Sequence, residues 1–151
     1  MKALIQRVDH ASVTVEGEVI GQIGLGLLVL VGVGRADTEA DVSALANKVV
    51  GLRVFPDEQG RFNLPLGEVG GAMLVVSQFT LYADVRRGRR PGFTEAAPPE
   101  QAEQLVDRFA QAVQDQGIEV ATGRFSAMME VDLRNNGPFT LMVETQNGRV
   151  V

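Results

Sequence analysis

The chain of 151 residues contains no cysteine and a single histidine, His10. The first absence excludes disulfides and thiolate chemistry, and it fits a cytoplasmic protein. Together the two leave almost no room for a transition-metal site, so no metal and no cofactor is expected. A Ser-His-Asp triad would have to use His10. Its neighbour Asp9 is no ready partner, because adjacent strand residues face opposite ways, and His10 reads as structural. No run of about 18 apolar residues exists, so no membrane span is predicted. "MKALIQRVDH" turns polar too early for a signal peptide.

An excess of positive charge is also lacking. The formal net charge is −5. Proteins that grip a long nucleic-acid backbone are usually basic, so DNA is not an expected partner and any nucleic acid must be held locally. No "GxxxxGK" loop is present, and the glycines of "GLGLLVLVG" lack the spacing of a dinucleotide fingerprint and a helix at the right place. Acidic pairs such as Asp57 and Glu58 fall in a turn and read as solvated.

What is present is an ordinary globular composition, 45% apolar and 22% charged. The length predicts one domain, residues 1–151, able to bury roughly 68–70% of its unfolded surface. Residues 2–8 and 12–15 alternate as a strand does, "EGE" at 16–18 marks a turn and "VIGQI" follows, which predicts antiparallel pairing. Leu25 to Val33 reads as a fully buried strand. Thr38, with Asp41 three residues on, approaches a capping box for a helix over 38–52 that buries Val42, Leu45, Ala46 and Val49 and stops at Phe55-Pro56. "PDEQGRFN" predicts a turn or hairpin, and Ala72 to Val76 a short apolar strand ending at Ser77. A second helix opens at Pro98-Pro99, lines one face with Ala102, Leu105, Val106, Phe109, Ala112 and Val113, and closes near Gly117. Strands return from Ile118, with Met129, Val131 and Leu133 on one face. The order predicts an α+β fold: a mainly antiparallel, barrel-like sheet system packed by two helices.

Two polar segments interrupt this apolar framework. "SQFTL", Ser77 to Leu81, reads either as a strand end leaving the core or as a cluster of hydroxyl, amide and freed backbone donors able to hold an oxyanion without a titrating group. "RNNGPFT", Arg134 to Thr140, lies between two alternating stretches, "FSAMMEVDL" and "FTLMVET". Asn136-Gly137 signals a hairpin, but Pro138 has no N–H to close it. An ordinary tight hairpin is therefore not expected; a type VI turn with cis-Pro would resolve the closure, and a surface loop is the plainer reading. "RRGRRPGF" gathers Arg86, Arg87, Arg89 and Arg90, as a solvated loop or as a phosphate-binding patch.

The two polar segments, in this order in a chain of this length, resemble the motifs of the D-aminoacyl-tRNA deacylases. These are an S-Q-x-x-L motif, here Ser77-Gln78-Phe79-Thr80-Leu81, and an N-x-G-P-x-T motif, here Asn135 to Thr140, with Phe139 where many members carry valine. The likeness also runs through "QRVDHASVTV", "LRVFPD", "GRRPGF" and "GRFSAMMEV". The resemblance implies a homodimeric hydrolase that removes D-amino acids from the acceptor end of tRNA. It implies a catalytic site around Ser77, Gln78, Phe79 and Thr80, and a cis Gly137-Pro138 pair reaching into the partner subunit's pocket to exclude L-amino acids. It places Arg7 as a brace of that loop, where a surface strand arginine is the alternative, and Met129 in the pocket, where a core methionine is. Glycyl-tRNA mischarged on tRNA(Ala) is an expected further substrate. Arg86, Arg87, Arg89 and Arg90 are candidate tRNA contacts. Thr80 reads as a nucleophile or, since no base partner is visible, as a polar site residue beside an attacking water. Two other functions fit the same motifs: a deacylase with trans Gly-Pro acting on a misloaded L-aminoacyl-tRNA, and a non-catalytic dimeric RNA-binding module.

Overall fold

The structure is a computed structural model that describes all of residues 1–151. Its spine is β1 (Lys2–Val15), which turns at Glu16-Gly17 into β2 (Glu18–Ile23) and pairs antiparallel with it. β3 (Gly26–Gly32) pairs antiparallel with the first half of β1, on the same edge as β2, and β8 (Glu130–Gln146) pairs antiparallel along the other edge. Parallel ladders then join β3 to β6 (Ala72–Ser77) and β6 to β7 (Glu119–Thr122). The sheet is therefore mixed, with the expected antiparallel pairs on one side and two parallel pairs on the other. Crossover helices explain the parallel part, since parallel neighbours need a long connection. β4 (Phe55–Pro56) and β5 (Phe62–Leu64) form the small hairpin predicted around "PDEQGRFN", and β9 (Arg149–Val150) pairs with the end of β8.

Both helices lie against one face of the sheet. α1 (Glu39–Val50) buries Val42, Leu45, Ala46 and Val49, as its 3.6-residue spacing dictates. It ends at Gly51, well before Phe55-Pro56. The expected proline stop is thus corrected: Pro56 sits in β4, and the chain leaves the helix five residues earlier. α2 (Pro99–Gln114) has Pro99 in its first turn and buries Ala102, Leu105, Val106, Phe109, Ala110 and Val113. Ala110 takes the fully buried place expected of Ala112, which only borders the core. No helix is long and apolar enough to cross a membrane.

The curl of the sheet divides the apolar residues between two cores. Ala3 and Ile5 of β1, and Leu27, Val29 and Val31 of β3, meet the helices. Val8, Ala11, Val13 and Val15 of β1, with Leu28, Leu74 and Val76, fill a second core on the opposite face. β8 spans both: Val131 and Leu133 pack on the second core, Phe139, Leu141 and Val143 on the first. Every residue in this β8 set is odd-numbered, yet a regular strand sends odd residues to one face only. The register explains the switch. Gln6 pairs with Thr140 and Val8 with Asn135, so two steps along β1 match five along β8; beyond Val8, three steps along β1 reach Ala11 while β8 moves two, to Leu133. Opposed bulges of odd size bend both strands and change their inward parity together.

Asp41, buried in the first turn of α1, ties the helix to the chain end. Its carboxylate accepts from Thr38 N–H at 3.0 Å, from the Thr38 hydroxyl at 3.2 Å and from Gly148 N–H at 2.9 Å. Burial pushes its carboxyl up, but these hydrogen bonds outweigh burial and hold it below the ordinary value of 3.8. A depressed folded-state value means that the stability Asp41 contributes is present above pH 3.8 and is lost as the pH falls through the lower folded value. Asp41→Asn should therefore flatten the acid limb of stability below about pH 4, read by thermal unfolding across pH; an unchanged limb would remove Asp41 from that role.

Candidate active site

β6 carries Val75 and Val76 into the cores and emerges at Ser77. The ladder to β3 continues one residue further, as Gln78 N–H donates to Val31 C=O at 2.8 Å. The chain then closes a 3-10 turn over Phe79–Tyr82. "SQFTL" is thus both things its sequence allowed, a strand end and a collection of polar groups. The first N–H groups of such a turn have no partner within it. Phe79 is 56% exposed and meets Phe93 edge-to-face at 4.9 Å between ring centroids. The Gln78 side-chain amide donates to the Thr80 hydroxyl oxygen.

The far end of the turn is seated by Tyr82. Its hydroxyl donates to Asp37 Oδ2 at 3.1 Å, and the same carboxylate accepts from Gly34 N–H at 2.6 Å and, through Oδ1, from the Met1 amino group at 2.8 Å. Burial, then the Asp37 carboxylate, pushes the Tyr82 hydroxyl far above its ordinary value, so it stays a donor. A Cβ on residue 34 would lie 2.8 Å from the Tyr82 ring, so glycine is what lets the tyrosine approach.

A cavity of about 790 Å³ opens beside this turn, lined among others by Ser77, Gln78, Phe79, Phe93, Phe125 and Met129. Met129 is thus both pocket-lining and packed against the second core. Arg35, at the mouth, is the sole ionisable side chain in the lining. No cluster of three or more His, Asp or Glu residues is placed to hold a metal. Asp9 and His10 are both exposed, and the Asp9 carboxylate is taken by Asn136 rather than by the imidazole. Chemistry in this cavity has hydroxyls, amides and backbone donors at its disposal, and no imidazole or carboxylate base.

"NNGP" lies elsewhere. It rises from β8 as the larger of the two bulges, and Gly137 and Pro138 are exposed. The Gly137–Pro138 bond is cis, and Gly137 adopts φ +144, a region that disfavours side chains. Asn135 solves the closure that Pro138 cannot. Its side-chain oxygen accepts from Phe139 N–H at 2.9 Å, while its amide donates to Phe139 C=O at 2.8 Å and to Arg7 C=O at 3.2 Å. Arg7 holds the loop from below. Only 6% exposed, it donates from Nε to Asn136 C=O at 3.0 Å and from Nη1 to Val54 C=O, and its guanidinium lies 5.1 Å from the centroids of both Phe62 and Phe139. The surface-arginine alternative is excluded. Arg7 makes no ion pair; carbonyls and ring faces meet its charge.

Within one chain, Arg7, Gly137 and Pro138 do not line the cavity that Ser77, Gln78, Phe79 and Met129 share, and neither does Thr80. Arg86, Arg87, Arg89 and Arg90 are exposed on a loop closed by paired hydrogen bonds between Asp84 and Gly92. Arg86 is committed within it, donating to both Asp84 oxygens at 2.8 and 2.7 Å. These hydrogen bonds hold the Asp84 carboxyl well below the usual carboxylate range. Arg87, Arg89 and Arg90 form no ion pair. Residues that sequence reasoning passes over are Asn135, although it heads the loop motif, Tyr82, which ends the turn itself, and Arg35 and Phe93, which only the fold brings beside it.

The cavity thus opens where parallel strands end, in a sheet curled around a second core with two helices on one face, and it holds no base. The chain superposes on a probable eukaryotic D-amino acid tRNA deacylase with a TM-score of 0.80 over 93% of this chain and 97% of that one, a likeness of fold at 19% identity. The family profile for D-Tyr-tRNA(Tyr) deacylase matches residues 4–144. The D-aminoacyl-tRNA deacylase of Roseiflexus castenholzii is 59% identical over 96% of this chain and 92% of that protein. That of Chloroflexus aurantiacus is 59% identical over 99% and 94%. The chain belongs to the D-Tyr-tRNA(Tyr) deacylase family. It is also similar to a solved structure titled c-Myc DNA Unwinding Element Binding Protein, at TM-score 0.91 and 39% identity over 97% of this chain and 99% of that one.

Replacing Arg7 by lysine keeps the charge but not the fork. A single ammonium nitrogen does not span the two positions that Nε and Nη1 occupy, so Arg7→Lys should weaken at least one of these bonds and lower stability by about 1–3 kcal/mol in urea unfolding. A variant as stable as the wild type would show that the guanidinium contacts contribute nothing.

Proposed function

We propose that this protein hydrolyses the ester bond of D-aminoacyl-tRNA, releasing the free D-amino acid and tRNA. The observation that carries this reading, beside family membership, is a cavity with donors and no base. An aminoacyl ester is an activated bond with a neighbouring ribose 2′-hydroxyl, and it needs less help than an amide. Water attacks the carbonyl carbon, assisted by that hydroxyl, and the ester breaks toward the 3′-oxygen, which leaves with a proton. The backbone N–H at Phe79, with Ser77 or Gln78 beside it, receives the developing oxyanion. One such donor is worth about 2.7–4 kcal/mol of barrier in known hydrolases.

Thr80 serves as a polar site residue. Its hydroxyl oxygen already accepts from the Gln78 amide, and no base adjoins it to take its proton. The selection of handedness falls to the Gly137-Pro138 loop of a second subunit. In one chain this loop is exposed, outside the lining of its own cavity and tightly braced, which suits a part lent to a twin. Its backbone carbonyls bound the space around the substrate's α-carbon and accept from the ammonium group. A D-residue sends its side chain outward; an L-residue drives Cβ into a carbonyl oxygen. Exclusion of this kind grips no side chain, so many D-amino acids are tolerated, and glycine, without a Cβ, is a substrate too. The working unit is a homodimer acting on the tRNA acceptor end in the cytoplasm. Arg87, Arg89 and Arg90 are its phosphate contacts, with Arg86 shaping their loop.

Matched D- and L-aminoacyl-tRNAs test the reading directly. The D-ester should be hydrolysed roughly a hundredfold faster or more, which a clash of about 2.7 kcal/mol supplies, with the glycyl ester also cleaved. Equal rates on both hands, or none on either, refute it. Thr80→Ala should retain activity within about tenfold, whereas near-total loss with tRNA binding intact would make Thr80 the nucleophile. Neutralising Arg87, Arg89 and Arg90 together should weaken tRNA binding and flatten its salt dependence by about 0.7–0.9 for each phosphate left without its arginine. An unaltered slope would strike them from the interface.

A further inference from the structure

The bulge on β1 has no part in the hydrolysis described above, yet it lies next to the Gly-Pro loop along the ladder, just across the Val8–Asn135 pair. Its extra residue falls between Val8 and Ala11, where Asp9 and His10 point to solvent. The Asp9 carboxylate meets the Asn136 side-chain amide at 2.6 Å. Asn136 is the residue immediately before Gly137. Its backbone carbonyl is held by Arg7 Nε, and its side-chain oxygen faces Arg7 Nη2 at 3.5 Å. Asn136 is therefore gripped at its main chain from the core side and at its side chain from the solvent side. With Asn135 spanning the loop's base to Phe139, every residue flanking Gly137-Pro138 is tied by a side chain.

We propose that Asp9 is a positioning residue for stereoselection: acting through Asn136, it fixes the entry to the Gly137-Pro138 loop and so sharpens the discrimination of D- from L-aminoacyl esters. This rests on the deacylase reading above and adds a residue and a contact to it. The physical argument is one of stiffness. Steric exclusion works only if the excluding atoms cannot retreat. A displacement of a few tenths of an ångström relieves most of a hard-sphere clash, while a D-substrate, making no such clash, gains nothing from it. Loosening the loop therefore raises the L rate relative to the D rate. The carboxylate makes the contact charge-assisted and strong for its exposure. An uncharged acceptor of the same shape retains the geometry.

The experiment measures D- and L-ester hydrolysis for the wild type, Asp9→Ala and Asp9→Asn, with thermal midpoints recorded alongside. Asp9 is exposed, so both variants should melt within a few degrees of the wild type. Asp9→Ala should lower the D:L rate ratio by about three- to tenfold, the worth of one hydrogen bond expressed as a rate factor. Asp9→Asn, whose Oδ1 still accepts from Asn136, should restore most of it. Loss of stability alone does not move a ratio measured on one folded enzyme, so the ratio separates positioning from folding. A D-selective wild type whose ratio is unchanged in Asp9→Ala overturns this inference alone. Equal loss in Asp9→Asn and Asp9→Ala also overturns the hydrogen-bond account. A wild type with no D preference overturns the deacylase reading, and this inference with it.

Discussion

The guanidinium of Arg7 is the contact on which the rest depends. It stands on the inward face of β1, in line with Ala3 and Ile5, where the pattern calls for an apolar side chain. A charge there is costly unless its donors are met. The protein meets them with the carbonyls of Val54 and Asn136 and sets the guanidinium beside the Phe62 and Phe139 rings, 5.1 Å from each centroid. In doing so Arg7 joins three parts distant in sequence: the central strand, the segment entering the small β4–β5 hairpin, and the bulge of β8. Phe62 and Phe139 also meet edge-to-face at 5.3 Å, closing the ring of contacts.

The Phe79–Tyr82 turn is built differently. It stands where two parallel strands end, as binding sites in sheets with parallel strands commonly do, and is anchored at both ends. The β3–β6 ladder fixes its start and Tyr82 on Asp37 fixes its finish. Phe79 and Thr80, between these anchors, are left facing solvent. The turn and the Gly-Pro loop thus stand on different strands of one sheet, with β3 and β1 between them.

Much of this is legible in the residues. Alternation locates β1, short apolar runs locate β3 and β6, helical spacing names the buried faces of α1 and α2, and the missing N–H of Pro138 argues against a plain hairpin. Illegible is whatever depends on pairing partners. Nothing local in "AMLVVS" says that β6 runs parallel to β3, because a doubly buried strand looks alike in either direction. Sequence places the stop of α1 too late because proline is a louder signal than the glycine that ends the helix. Asn135 stands out only as part of a motif, since its work of replacing a backbone hydrogen bond needs Phe139 folded back beside it. Arg35 and Phe93 come to the site from two separate segments, and no spacing rule connects them to the turn.

The Gly-Pro projection grows from within a strand pair, and this has a consequence for how the molecule tolerates change. An ordinary surface loop absorbs insertions freely, because its ends belong to different elements. Here both ends belong to β8, and the odd count of looped-out residues is what sends Phe139, Leu141 and Val143 to the helices. Adding or removing one residue would turn that half of the strand inside out. The reach of the projection is thus quantised by the pleat: it can lengthen only in pairs, and its span is chosen as much by the core beneath it as by whatever it touches.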